Sequence, residues 1–163
     1  KYCIIRTVCG PGRKTGKRRQ AVRILAIDYG DAHTGAAISD LTGLVAGYTE
    51  VIHTRKEAEV LRRLGELIRE YGVEELVLGY PKNMDGTLGP RAEKAEAFSH
   101  VLEEAFSLPV RLWDERRTTI DAHNILASAG KRAKARKKTV DAVAAALILE
   151  GYLTFRRGAA GPA

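Results

Sequence analysis

Residues Leu25–Asp40 read LAIDYGDAHTGAAISD, and the order of residue types along this stretch decides the fold. It continues the apolar run VRILAI (Val22–Ile27), which predicts a continuous apolar core strand. Asp28 stands at the end of that strand. Gly30 and Gly35 flank a short polar turn, where they are expected to let the chain turn tightly. Gly35–Ser39 predicts a second strand and Gly43–Ile52 a third. The short glycine-containing turns between them fit antiparallel hairpins.

Downstream the period changes. Val60, Leu61, Leu64, Leu67 and Ile68 recur at helical spacing and predict a helix over Arg55–Tyr71, stopped by Gly72. ELVLGYP (Glu75–Pro81) predicts a short buried strand. A polar, glycine-rich loop, KNMDGTLGP (Lys82–Pro90), then leads into a helix over Arg91–Phe106. PVRLW (Pro109–Trp113) predicts another strand, TTIDAHNILASAG (Thr118–Gly130) another helix, and Thr139–Phe155 a last one with an apolar stripe at Val140, Val143, Ala144, Leu147 and Ile148. Three meandering strands followed by alternating helices and strands imply an α/β fold, a mixed sheet covered by helices.

The 163 residues suffice for one domain with a substantial core. The net charge of +7 is unevenly spread. Residues 1–20 hold seven Lys or Arg and no acid, so the rest of the chain has 20 basic and 20 acidic residues. The expected organisation is a basic, flexible extension over 1–20, a domain over 21–155 and a flexible tail over 156–163. No apolar run approaches the ~20 residues that span a bilayer, and no secretory signal pattern is visible, so the expectation is a cytoplasmic protein without membrane contact. Cys3 and Cys9 match no zinc or redox spacing and receive no function.

Acids recur at the ends of elements. Asp28 closes the first strand, Asp114 and Glu115 follow the strand VRLW, and Asp141 lies in the first turn of the last helix. Strand ends and helix starts of such a sheet can converge on one edge. Carboxylates gathered there would resist joint ionisation unless a divalent cation joined them. Oxygen ligands suit Mg²⁺ or Mn²⁺, and two such ions support phosphodiester cleavage. Each acid alone also has a plain structural reading: Asp28 as a turn former, Asp141 at a helix dipole, Asp114 and Glu115 as partners of neighbouring arginines. Basic residues agree with the metal reading. KRAKARKK holds Lys131, Arg132, Lys134, Arg136, Lys137 and Lys138 just before Asp141, and Lys82, Arg91, Arg116 and Arg117 fall in other loops of the same edge. Such charge would grip a nucleic-acid backbone.

The blocks LAIDYGDAHTGAAISD, VLGYPKNMDGT, LWDERRTT and TVDAVAAALILEGYL resemble the four signature blocks of the YqgF/RuvX family, over about Arg23–Leu153. The family consists of ribonuclease H-like proteins, to which pre-16S rRNA cleavage or Holliday junction resolution is ascribed. The resemblance implies a mixed five-stranded sheet, its first three strands antiparallel, with helices on both faces. It places the catalytic, metal-holding acids at Asp28, Glu115 and Asp141, and so prefers Glu115 over Asp114. One departure stands out. Where the family carries Thr, basic residues and an aliphatic one after its first DxG, this chain has Asp31, Ala32, His33 and Thr34.

The expected function is a nuclease dependent on Mg²⁺ or Mn²⁺, acting on the 5′ end of precursor 16S rRNA, with ribosomal particles as further partners. The alternatives are resolution of branched DNA, which would call for a homodimer, and a non-catalytic RNA- or ribosome-binding factor. An actin- or hexokinase-like ATPase reading of DYGDAHTG needs a second phosphate-loop domain, for which the chain is too short.

Overall fold

The computed structural model describes residues 22–81, 89–114 and 140–159. Among them the elements run β1 (Ile24–Tyr29), β2 (Thr34–Ser39), β3 (Ala46–Ile52), α1 (Glu57–Tyr71), β4 (Glu75–Tyr80), α2 (Pro90–Phe106), β5 (Val110–Asp114) and α3 (Val140–Ala159). The strands form one five-stranded sheet in the order β3-β2-β1-β4-β5. β1–β2 and β2–β3 pair antiparallel, and β1–β4 and β4–β5 pair parallel. This is the mixed α/β sheet that the sequence implied, with helices on both faces.

Alternation along the strands builds two cores. Leu25 and Ile27 of β1, Ala36 and Ile38 of β2, and Leu76 and Leu78 of β4 face α1 and α2, meeting Val60, Leu64, Leu67, Phe98 and Leu102. The intervening residues Ile24, Ala26, Ala37 and Val77 face α3 and pack on Ala145, Ile148, Leu149 and Leu153. Each large apolar side chain fully withdrawn from water here contributes ~1.5–3 kcal/mol. Covered on both sides, β1 and β4 read in sequence as unbroken apolar runs rather than alternating ones.

Several boundaries move, each for a visible reason. β1 starts and ends two residues later than expected, because its ladder with β2 reaches Tyr29↔Thr34. Asp28 therefore lies inside the ladder, paired with Gly35, and β2 starts at Thr34, one residue before the expected Gly35. β3 begins at Ala46 instead of Gly43. The Asp40 carboxylate accepts the backbone N–H groups of Leu44 (2.8 Å) and Val45 (3.3 Å), and Gly43 takes φ +65°. The Thr42 hydroxyl, which also donates to Asp40, and then these amides hold its carboxyl down at about 2. α1 stops where expected, at Gly72, whose φ of +63° favours glycine.

The last helix corrects the expected tail at 156–163. It continues past Phe155 to Ala159. Its C-terminal turns are tied to the start of β4, where Tyr152 donates to buried Glu75 and Arg156 bonds Glu75 at 2.9 Å. The extension over 1–20 and the helix expected at Thr118–Gly130 lie outside the described residues.

Candidate functional site

Asp28 is half-buried on the α3 face of the sheet, next in alternation to Ala26. Its neighbours on both sides are small. Gly35 stands opposite in register on β2, and Gly79 follows Leu78 on β4. Gly35, the register partner of Asp28, therefore carries no side chain on that face. Asp28 and Gly79 line a cavity of about 410 Å³, walled further by Tyr29–His33, Pro81, Arg91, Lys94 and Ala95.

The loop after β1 is drawn tight. The Gly30 N–H donates to the His33 carbonyl at 3.1 Å, and a Cβ on Gly30 would stand 2.5 Å from that same oxygen. Only glycine fits without moving the backbone. His33 is exposed, and its Nδ1 lies 3.0 Å from Nδ1 of His53, with the rings edge to face.

Across the cavity mouth, α2 answers the loop. Lys94 Nζ bonds Asp31 Oδ1 at 2.6 Å and sits 4.8 Å from the centroid of the Tyr29 ring. Tyr29 is itself stacked on Phe98, centroids 3.7 Å apart and planes 8° from parallel. The bond from Lys94 holds the Asp31 carboxyl below the usual carboxylate range, with further help from the charges of Arg91 and Arg55. Burial, then the neighbouring Glu57 carboxylate, pushes the Tyr29 hydroxyl up, so it stays protonated. The rim thus gathers Arg91 and Lys94 around Asp31.

α3 packs across the sheet, against β2, β1, β3 and β4. Its C-terminal turn is fixed at Glu75, which pairs with Ile24 at the start of β1. Asp141 lies 11 residues before Tyr152, ~16 Å back along the helix, comparable to the ~13 Å from Ile24 to Asp28 along β1. The first turn of the helix, with the backbone of Asp141, thus lies about one strand length from its anchored end.

Of the expected site residues, the structure brings Asp28 and Arg91 together in one cavity. For Asp141 only the backbone is described. Glu115, Lys82, Arg116, Arg117, Lys131, Arg132, Lys134, Arg136, Lys137 and Lys138 lie outside the described residues. Lys94 was not anticipated, although its spacing of three from Arg91 puts both on one side of a helix.

A family model described as RuvX, Holliday junction resolvase, matches residues 22–155. The chain belongs to the RuvX family. Relatives named "Putative pre-16S rRNA nuclease" agree along nearly their full length. The one from Halothermothrix orenii is 46% identical over 135 residues, 83% of this chain and 96% of its own. The one from Geobacillus kaustophilus is 48% identical over 138 residues, 83% of this chain and 100% of its own. In three dimensions, Thermus thermophilus RuvC in complex with a Holliday junction substrate matches with a TM-score of 0.57, covering 84% of this chain and 96% of that one at 18% identity. RuvC and this RuvX chain share a ribonuclease H-like fold, and by family the protein is a nuclease. No helix among the described residues is long and apolar enough to cross a membrane.

Proposed function

We propose that this protein hydrolyses phosphodiester bonds with a divalent cation, Mg²⁺ or Mn²⁺, in maturing the 5′ end of precursor 16S rRNA. The observation that carries the proposal is Asp28. It lies within β1 at a cation-rimmed cavity, in a chain that matches the pre-16S rRNA relatives over 96% and 100% of their lengths. Its carboxylate is an oxygen donor in half-buried surroundings, and the acids assigned with it, Glu115 and Asp141, are oxygen donors too. That set fits a hard cation.

Asp28, Glu115 and Asp141 would hold the metal, which supplies water activation and charge stabilisation at the phosphorus. The chain's own part is to seat the substrate. Gly35 and Gly79 leave room beside Asp28 for a backbone to approach. Arg91 at the head of α2 meets phosphate oxygens, and Arg116, Arg117, Lys82 and the run Lys131–Lys138 extend the grip. Such a substrate assigns the protein to the cytoplasm, in the company of ribosomal precursor particles.

The description of the family model favours a second substrate, branched DNA, cut by the same acids in a homodimer. One assay separates the readings: cleavage of a precursor 16S 5′ end and of a synthetic four-way junction, by wild type and Asp28→Asn, with Mg²⁺ or Mn²⁺. Trimming of the RNA by wild type alone is the expected result. Paired nicks in the junction alone would establish the second reading. Binding without cleavage of either substrate would reduce the protein to an RNA- or DNA-binding factor.

A further inference from the structure

We propose that Lys94 is a phosphate-contacting residue of the Asp28 site and that Asp31 positions it. The inference rests on the nucleic-acid reading above and identifies a binding group that the sequence did not single out. The loop after β1 carries Asp31–Thr34 where basic residues would be expected, so on its face the cavity has lost positive charge and gained an acid. The structure returns that charge from another element. Lys94 and Arg91 project from α2 into the wall of the cavity that Asp28 also lines.

Lys94 is held in a way that suits a ligand contact. Its Nζ is fixed on one side by Asp31 Oδ1 at 2.6 Å and on another by the Tyr29 ring at 4.8 Å. That ring cannot drift, being stacked on buried Phe98. An ammonium group has three donors, so the bond to Asp31 leaves two for phosphate oxygens. The side chain of Lys94 is still 42% exposed. A flexible lysine held in place before the ligand arrives loses less freedom on binding.

The competing account makes Lys94 only the counter-ion of Asp31, sparing an incoming phosphate from that carboxylate. The two accounts differ in what a second substitution repairs. The probes are a fluorescein-labelled four-way DNA junction and a labelled RNA hairpin with a single-stranded 5′ extension, titrated by fluorescence anisotropy across a salt series. Lys94→Ala should weaken binding several-fold and flatten the plot of log affinity against log salt by about 0.7–0.9, the loss of one phosphate contact. In Lys94→Ala/Asp31→Ala the local charge balance of wild type is restored. If Lys94 touches phosphate, the double variant stays weak and its slope stays flat. Wild-type affinity and slope in the double variant, or unchanged binding in Lys94→Ala, would overturn the proposal while leaving the nuclease reading intact. Failure of wild type to bind either probe would overturn both. Circular dichroism melting of each variant separates lost contact from lost fold.

Discussion

At the end of the sheet where β1 and β4 begin, Glu75 is buried against α3. At the end where they finish, Asp28 lines a cavity. Glu75 is satisfied by the chain itself: Tyr152 donates to it, Arg156 Nη1 lies 2.9 Å away, and Arg111 Nε stands at 3.9 Å. Around Asp28 the surroundings are open instead of closed. The adjacent strands offer glycines, and the cations of the rim stand in partly exposed positions around about 410 Å³ of open space. The same strands thus use one carboxylate to join a helix to the sheet and set another at the edge of an open cavity. Charge closed inward belongs to stability, whereas charge gathered at a cleft belongs to ligands.

Substitution at the two ends should separate those roles. Asp28→Asn preserves shape and should lower cleavage by at least ~100-fold, since even outer partners of a metal ligand commonly cost 10–100-fold. Its melting temperature should stay near that of wild type. Glu75→Ala should do the opposite, keeping cleavage while losing stability. Arg156 remains partly exposed and can regain water, so the loss should be about 2 kcal/mol rather than the full cost of an orphaned buried charge. That corresponds to a fall of ~4–8 °C in melting temperature for a chain of this size. Activity loss in the Glu75 variant at temperatures where it is folded would break the contrast.

Gly30→Ala tests whether the open end depends on its tight loop. The added Cβ would meet a backbone oxygen at 2.5 Å, and backbone cannot swing aside as a side chain can. The loop must open, at a cost of about 1–2 kcal/mol. Because Asp31 and Tyr29 flank Gly30, weaker nucleic-acid binding should accompany the lower melting temperature. Unchanged stability together with unchanged affinity would show the loop to be more compliant than its geometry implies.

These two ends were unequally legible in the sequence. The order of strands and helices among the described residues and the stop at Gly72 follow from local pattern, because periodicity and glycine act over a few residues. The misplaced boundaries depend on partners remote in sequence or on side-chain bonds in a turn. β1 runs on through Asp28 because β2 pairs with it, β3 starts late because Asp40 captures two amides, and α3 outlasts Phe155 because Arg156 finds Glu75, 81 residues away. Lys94 escaped notice for the same reason. Its partner Asp31 is 63 residues distant, and from α2 alone it reads as one more solvated charge.

The closed end makes one further, smaller prediction, in alkali. Burial and the bond to Glu75 push the Tyr152 hydroxyl up to about 12 from its ordinary value of 10.0. Between those values the folded protein keeps a proton that the unfolded chain has lost. The stabilisation from Tyr152 is therefore whole below pH 10 and declines as the pH rises toward 12. Tyr152→Phe has no such proton. Its deficit relative to wild type, measured by urea unfolding at successive pH values, should be constant up to about pH 10 and then narrow. Tyr29, Tyr48 and Tyr80 are also shifted upward, but they are common to both proteins and cancel in the difference. A deficit that stays level to pH 12 would mean that the hydroxyl of Tyr152 is not held by Glu75, and that Arg156 alone joins α3 to the start of β4.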